Sequence, residues 1–309
     1  MNYGLPYMGS KNKIADWILE NLPEAENFYD LFGGGGAITH AAILSEKYKN
    51  IYYNDIQKGL PQLFLDAVKG KYKDEARWIS REDFNKLKDK DMFIKYCWSF
   101  GNNGKAYIYG KSIEEYKHGI HNAIFFQDYD ILKNKYSIDF ESNKETIKER
   151  KTEYNKYIKE NKDRLHKIWK ENGIKSKRLK SLERLQSLER LERLERLQSL
   201  ERLERLQSLE SLESLEISNK SYDEFNITGD AVIYCDIPYK NTASYTSGDF
   251  DYEKFYNWCE KQTVPVYISE YSMPEDRFEI VAEKTLKRKL SGVKNTVCNE
   301  KLFKVKKNN

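Results

Sequence analysis

An α/β fold organised on a parallel sheet is what this 309-residue chain predicts, and three observations predict it. Two short apolar runs, Asn27 to Phe32 and Ala231 to Cys235, have the length and the aromatic and β-branched content of strands. Each ends in a stretch better suited to chemistry than to packing: Gly33-Gly34-Gly35-Gly36 after the first, Asp236-Ile237-Pro238-Tyr239 after the second. A helical segment separates the first strand from the next, the alternation that yields right-handed β-α-β crossovers.

The elements follow in order. Lys13 to Leu22 has helical spacing of Ile14, Trp17, Ile18 and Leu22 and stops at Pro23. The strand Asn27 to Phe32 leads into the glycine turn, and Ala37 to Lys47 reads as the helix it opens. Asn50 to Asn54 is a second strand, ending at Asp55. From about 71 to 150 charge runs mix with aromatics around the loop-like Ser99 to Lys105. From about 150 to 218 helix or disorder is expected, because neither Gly nor Pro occurs between Gly173 and Gly229. Sheet character returns at Ala231 to Cys235 and Val264 to Ser269, and Phe278 to Ala282 with Glu300 to Val305 would close it as a hairpin. The expected organisation is a split core (1–70 and 220–309), an inserted region (71–150) and a helical or low-complexity insertion (151–219).

That last insertion carries a leucine at every third position from Leu182 to Leu215. At about 100° per residue, such leucines drift by about 60° per step and wind round a helix instead of forming a seam. Pairs such as Glu189–Arg193 support a long solvated helix. Self-association through it is the alternative.

The formal charge of +4 is compatible with a polyanionic partner but does not require one. Cys97, Cys235, Cys259 and Cys298 are scattered, which argues against a structural zinc site or a disulfide framework. His118 and His121, three apart, are expected to be surface residues and not a metal pair. No apolar run approaches the roughly 20 residues of a membrane span. A cytoplasmic protein without metal is expected.

The two motifs define the chemistry. Glycines at the start of a helix let a nucleotide-like ligand approach backbone amides, although glycines also make ordinary tight turns. Asp55, about 20 residues on at the end of the next strand, is placed to accept hydrogen bonds from a ribose. An acid followed by proline and an aromatic suits a planar ring bearing an amine. Asp236 and the Ile237 carbonyl would accept the two amine hydrogens and free the nitrogen lone pair. Pro238 holds Ile237 extended, and Tyr239 would stack on the ring. Without the glycine turn, a strand-end turn capped by an Asp would be the simpler reading.

These residues resemble the DNA adenine-N6 methyltransferases of the Dam type. Pro6-Tyr7-Met8-Gly9-Ser10-Lys11 resembles the N-terminal cofactor segment of that family, Asp30 to Gly36 its first loop, and Asn54-Asp55 its ribose-binding acid. Trp98 to Gly104, with Tyr107 and Tyr109-Gly110, resembles the segment preceding DNA recognition, and Asp236 to Tyr239 the D-P-P-Y motif. The resemblance spans residues 1 to about 125 and 220 to 309.

It implies a Rossmann-like S-adenosylmethionine-dependent methyltransferase sheet, with an inserted, mostly helical DNA-recognition region beside the Leu-repeat helix. The implied cofactor is S-adenosylmethionine, beside Tyr7, Lys11, Asp30, Phe32, Gly33, Gly35, Asp55 and Asp236. The implied catalytic residues are Asp236, Ile237, Pro238 and Tyr239. The implied partner is double-stranded DNA, met by Asn103, Lys105, Tyr107, Tyr109 and Lys111. Two departures stand out: Ile237 where the family usually has proline, and Tyr7 where tryptophan is frequent. Methylation of RNA or of a protein glutamine amide, and a catalytically weak DNA-binding or assembly protein, are the competing readings.

Overall fold

The computed structural model describes residues 3–171, 214–239, 250–288 and 296–306. Apart from Leu215, the leucine repeat lies outside these residues, and with it the expected long helix and self-association. The chain divides into two compact units, Met1–Lys73 with Glu195–Asn309, and Asp74–Leu194. The first unit begins with α1 (Ala15–Glu20), β1 (Asn27–Asp30), α2 (Ala37–Ser45), β2 (Asn50–Asn54) and α3 (Leu60–Val68). The second holds α4 (Arg81–Leu87), α5 (Met92–Cys97), α6 (Glu114–Phe126), α7 (Asp130–Tyr136), α8 (Ile147–Glu160) and α9 (Lys162–Glu171). The first resumes with β3 (Leu215–Ser218), β4 (Ala231–Cys235), α10 (Tyr252–Glu260), β5 (Val266–Glu270), β6 (Phe278–Arg288) and β7 (Thr296–Val305).

The first unit is a mixed α/β structure on one seven-stranded sheet, ordered β3-β2-β1-β4-β5-β7-β6. β1 to β5 pair in parallel, and β7 runs antiparallel to both β5 and β6. The chain builds outward from β1 to β3, then returns to the other side of β1 as β4. Ligands bind open α/β sheets at such a reversal, beyond the carboxyl ends of the strands. Register places Asp30, the last residue of β1, opposite Tyr53 on one side and Tyr234 on the other.

Local chemistry accounts for these elements. Every residue of β4 is buried, as expected of an unbroken apolar run at the centre of a parallel sheet. α10 starts at Asp251, whose carboxylate caps the Lys254 amide, and turns Phe255, Tyr256 and Cys259 inward. These join Leu31, Ile233, Cys235, Ile268 and Phe303 in one apolar core.

One expectation needs correction. Helix or disorder is expected from about 150 to 218, yet Leu215–Ser218 form β3, parallel to β2 from Ile51 to Asn54. The exposed Glu216 between the buried Leu215 and the half-buried Ile217 is a period-two pattern, obscured in the sequence by the three-residue leucine repeat. Asn54 ties the strand ends together. Its side-chain amide donates to the carbonyls of Leu31 (2.9 Å) and Lys220 (3.0 Å), and its oxygen accepts from Ser218 Oγ (2.8 Å) and the Lys220 amide (2.9 Å).

The second unit is mostly helical, with side-chain caps at several helix starts. Ser80 caps α4, Asp91 caps α5, and Thr146 and Glu149 form a reciprocal capping box on α8. Its interior is aromatic, with Phe84, Phe93, Trp98 and Tyr116 all buried. Among the described residues no helix is long and apolar enough to cross a membrane.

Candidate active site

The glycine turn after β1 is packed by the protein itself. A Cβ on Gly33 would lie 2.1 Å from the Tyr53 ring, and one on Gly35 would lie 2.6 Å from Tyr7 Cβ. On sequence grounds the glycines give clearance for a ligand or make an ordinary tight turn. The structure gives them a nearer reason, since aromatic rings occupy the space directly against the backbone. Tyr53 also donates its hydroxyl to the Gly34 carbonyl (2.7 Å), and the Leu5 amide donates to Gly35 O (2.6 Å). The segment carrying Tyr7 and Lys11 is thereby held on the turn.

Asp55, one residue beyond β2, accepts from the Gly34 amide (2.9 Å) through Oδ2 and from the Gln57 amide (2.7 Å) through Oδ1. Burial pushes its carboxyl pKa up, against the pull of these two amides. Asp30 is 1% exposed, and its Oδ2 accepts from both the amide (3.2 Å) and hydroxyl (2.7 Å) of Thr39. Its Oδ1 is buried without a hydrogen-bond partner among the described residues. Burial pushes the Asp30 carboxyl up to about 7; Thr39 opposes this, and the charges of Asp236 and Asp55 add to it. Phe32 sits among aromatics, with Tyr222, Phe250 and Phe255 ring centroids at 5.5, 5.9 and 5.7 Å.

Asp236 emerges directly from the buried strand β4. Its Oδ1 lies 2.7 Å from the Lys11 ammonium, and burial pushes its carboxyl up to about 6 despite that cation. Ile237 is 2% exposed and belongs to the apolar core, so a β-branched side chain replaces the family's proline by filling core volume. The Pro238 carbonyl accepts from the Tyr252 hydroxyl (2.8 Å). Tyr239 donates its hydroxyl to Glu300, meets Tyr271 edge-on at 4.5 Å, and carries the Lys11 ammonium 4.5 Å from its ring centroid. Burial first, then the charges of Asp236 and Glu300, hold the Tyr239 hydroxyl far above its ordinary pKa.

The structure therefore brings Lys11 to Asp236 and Tyr239, while Tyr7 and Asp55 meet the glycine turn. Glu300 was missed. It is 1% exposed on β7 and lies 3.5 Å from Lys11. The available signal was parity: Glu300 is two residues before Leu302, on the buried alternation of a strand, where a carboxylate is costly.

In the second unit the structure corrects two expected DNA contacts. Tyr107 and Tyr109 are buried, at 6% and 5% exposure, and offer no stacking surface. Tyr107 donates to the Ile79 carbonyl (2.7 Å) with the Arg81 guanidinium 4.7 Å from its ring centroid, and Tyr109 stacks on Trp78 at 5.7 Å. Both rings gain more from this aromatic core than from solvent. Lys105 and Lys111 are exposed, and Asn103 is half-buried, accepting from the Lys105 amide (2.8 Å). His118 stacks on Trp78 at 4.6 Å, and His121 Nε2 meets the Ala76 carbonyl at 2.8 Å. Among the described residues no group of His, Cys, Asp and Glu is arranged to hold a metal ion.

Two comparisons bear on the chemistry of this arrangement. Residues 7–264 match the family model of the D12 class N6 adenine-specific DNA methyltransferases. The match runs from Tyr7 through Tyr239 and stops short of Glu300. A Type II methyltransferase, M.CviAII of Paramecium bursaria Chlorella virus 1, is 34% identical over 93 residues, which are 28% of this chain and 27% of that relative. The chain thus matches little more than a quarter of that relative's length.

Proposed function

The chain belongs to the D12 class N6 adenine-specific DNA methyltransferase family, and from that premise we propose that it methylates adenine N6 in duplex DNA. In this reading S-adenosylmethionine is the methyl donor, and the target base is flipped from the helix into the site. The observation that carries the proposal is Asp236, a half-buried acid leaving β4 at the reversal of the sheet and paired with Lys11, whose ammonium also lies over the Tyr239 ring.

The donor set suits a cationic cofactor. Asp236 and Glu300 flank the Lys11 ammonium, the charges of Asp236 and Asp55 act on Asp30, and Asp30 Oδ1 is an acceptor in want of a donor among the described residues. Tyr7, Asp30, Phe32, Gly33, Gly35 and Asp55 are assigned to hold the cofactor, with Lys11 and Asp236 between it and the base. When bound, S-adenosylmethionine supplies an electrophilic methyl group on a positively charged sulfur.

The protein's part is orientation and electrostatics. An exocyclic adenine amine is a weak nucleophile, because its lone pair is delocalised into the ring. The Asp236 carboxylate and the Ile237 carbonyl accept its two hydrogens and draw the nitrogen toward tetrahedral geometry. Pro238 keeps Ile237 extended, which aims that carbonyl. Tyr239 supports the ring face. The methylated nitrogen then loses a proton, and Asp236 Oδ is the acceptor at hand. Exposed Lys105 and Lys111, with Asn103, are assigned to the DNA backbone.

The pH dependence follows from the raised Asp236 carboxyl, near 6. Above that pH the carboxylate is ionised and accepts the amine hydrogen; below it the group is protonated and cannot. Single-turnover rates measured across this range should be flat above about pH 6 and fall about tenfold per unit below it. A rate that stays flat well below pH 6 removes the ionised Asp236 from the step.

The proposal is tested by mapping adenine methylation on a plasmid from adenine-methylation-deficient cells that express this chain. Nearly complete modification of one short motif is expected. An unmodified plasmid, alongside folded protein that binds S-adenosylmethionine, would transfer the activity to RNA or a protein amide.

A further inference from the structure

Glu300 enters the site from the antiparallel strand β7, paired opposite Lys284 of β6, and lies outside the span of the family match. A carboxylate at 1% exposure carries a desolvation cost that an apolar residue on the same strand face would avoid. It touches two groups. It accepts the Tyr239 hydroxyl, and it lies 3.5 Å from the Lys11 ammonium, whose nearer partner is Asp236 at 2.7 Å. That ammonium is at once bonded to Asp236 and 4.5 Å from the Tyr239 ring centroid. A nitrogen donor between those two residues is what the proposed reaction requires of the target amine, so Lys11 stands where the substrate must go.

Resting on the proposed function, we infer that Glu300 is a positioning residue that fixes Tyr239 through its hydroxyl and takes the Lys11 ammonium from Asp236 when the target amine enters. Lys11 then exchanges one carboxylate for another without being left as an unpaired buried cation, which would be strongly unfavourable. Asp236 is released to accept the amine hydrogen. The Tyr239 hydroxyl and the Lys11 ammonium both face Glu300 Oε1, and a carboxylate oxygen accepts more than one hydrogen bond, so Tyr239 keeps its orientation throughout.

The test compares Glu300→Gln and Glu300→Ala with wild type on a duplex containing the mapped motif. Single-turnover rates at saturating DNA are measured beside calorimetric affinity for S-adenosylmethionine. Gln keeps an acceptor for the Tyr239 hydroxyl and loses the charge that draws Lys11; Ala loses both. The expected result is a rate loss of about 100-fold for Ala and about tenfold for Gln, with cofactor affinity and the KM for DNA close to wild type. Partial rescue by Gln is the mark of positioning. Wild-type rates in both variants overturn the inference. So does joint loss of folding and cofactor affinity in both variants, which would make Glu300 purely structural. A wild-type protein that transfers no methyl group to DNA overturns the proposed function itself and the inference with it, so the two failures are distinct.

Discussion

Replacing Asp236 with alanine should lower single-turnover methyl transfer by about 10³-fold or more while the protein stays folded. The size follows from the role: no other acid leaves β4, and a carboxylate that localises the amine lone pair acts only where charge develops. The fold should persist because Asp236 is retained against its own burial cost, visible as a carboxyl pushed up to about 6. Its removal also leaves Lys11 within 3.5 Å of Glu300, so no buried cation is stranded. Asp236→Asn keeps an acceptor without the charge and should fall between the two. Circular dichroism and cofactor calorimetry report the fold, and a methyl-transfer assay reports the chemistry. Near-normal turnover in Asp236→Ala would defeat the assignment.

Gly4→Ala is expected to act on both stability and cofactor affinity. Gly4 has φ +69°, and an added Cβ would lie 2.6 Å from Gly35 O, 2.7 Å from Ala37 N and 2.8 Å from Ala37 Cα. All three are backbone atoms, so no side chain can rotate away. The left-handed conformation costs about 1–2 kcal/mol for an L-residue, and overpacking of this kind about 1–3 kcal/mol. Together a loss of about 2–5 kcal/mol is expected. The Gly4 amide donates to His40 Nδ1 (3.0 Å) and the Leu5 amide to Gly35 O (2.6 Å), so a displaced segment takes Tyr7 off the glycine turn. Affinity for S-adenosylmethionine should fall about tenfold or more, in proportion to the lost orientation. Thermal melting and calorimetry check both effects. An alanine variant matching wild type in each would show that the N-terminal segment is not clamped as described.

The framework was legible because strands and helices write their periods into neighbouring residues. Asn50–Asn54 and Ala231–Cys235 appear with the expected limits, and Phe278 and Val305 close the sheet as an antiparallel pair. β1 ends at Asp30, two residues early, because the chain already turns toward the glycines there. β3 was hidden, since its alternation is only four residues long and merges with the leucine repeat. Tyr107 and Tyr109 were placed at a surface because aromatic residues near lysines carry no mark of which way they face. Burial decided it.

By itself the sequence determined the first β-α-β unit, the central strand Ala231–Cys235, the closing hairpin, the glycine turn, and an acid-proline-aromatic segment at the end of a buried strand. These are local, set by side-chain alternation and by backbone geometry within a few residues. Only the tertiary structure decided that Lys11 pairs with Asp236, that Gly4 lies against Gly35, and that Glu300 reaches Tyr239 from an antiparallel strand. Those partners are far apart along the chain, and a carboxylate or an ammonium finds its counter-charge through strand pairing and burial, which no short stretch of residues encodes.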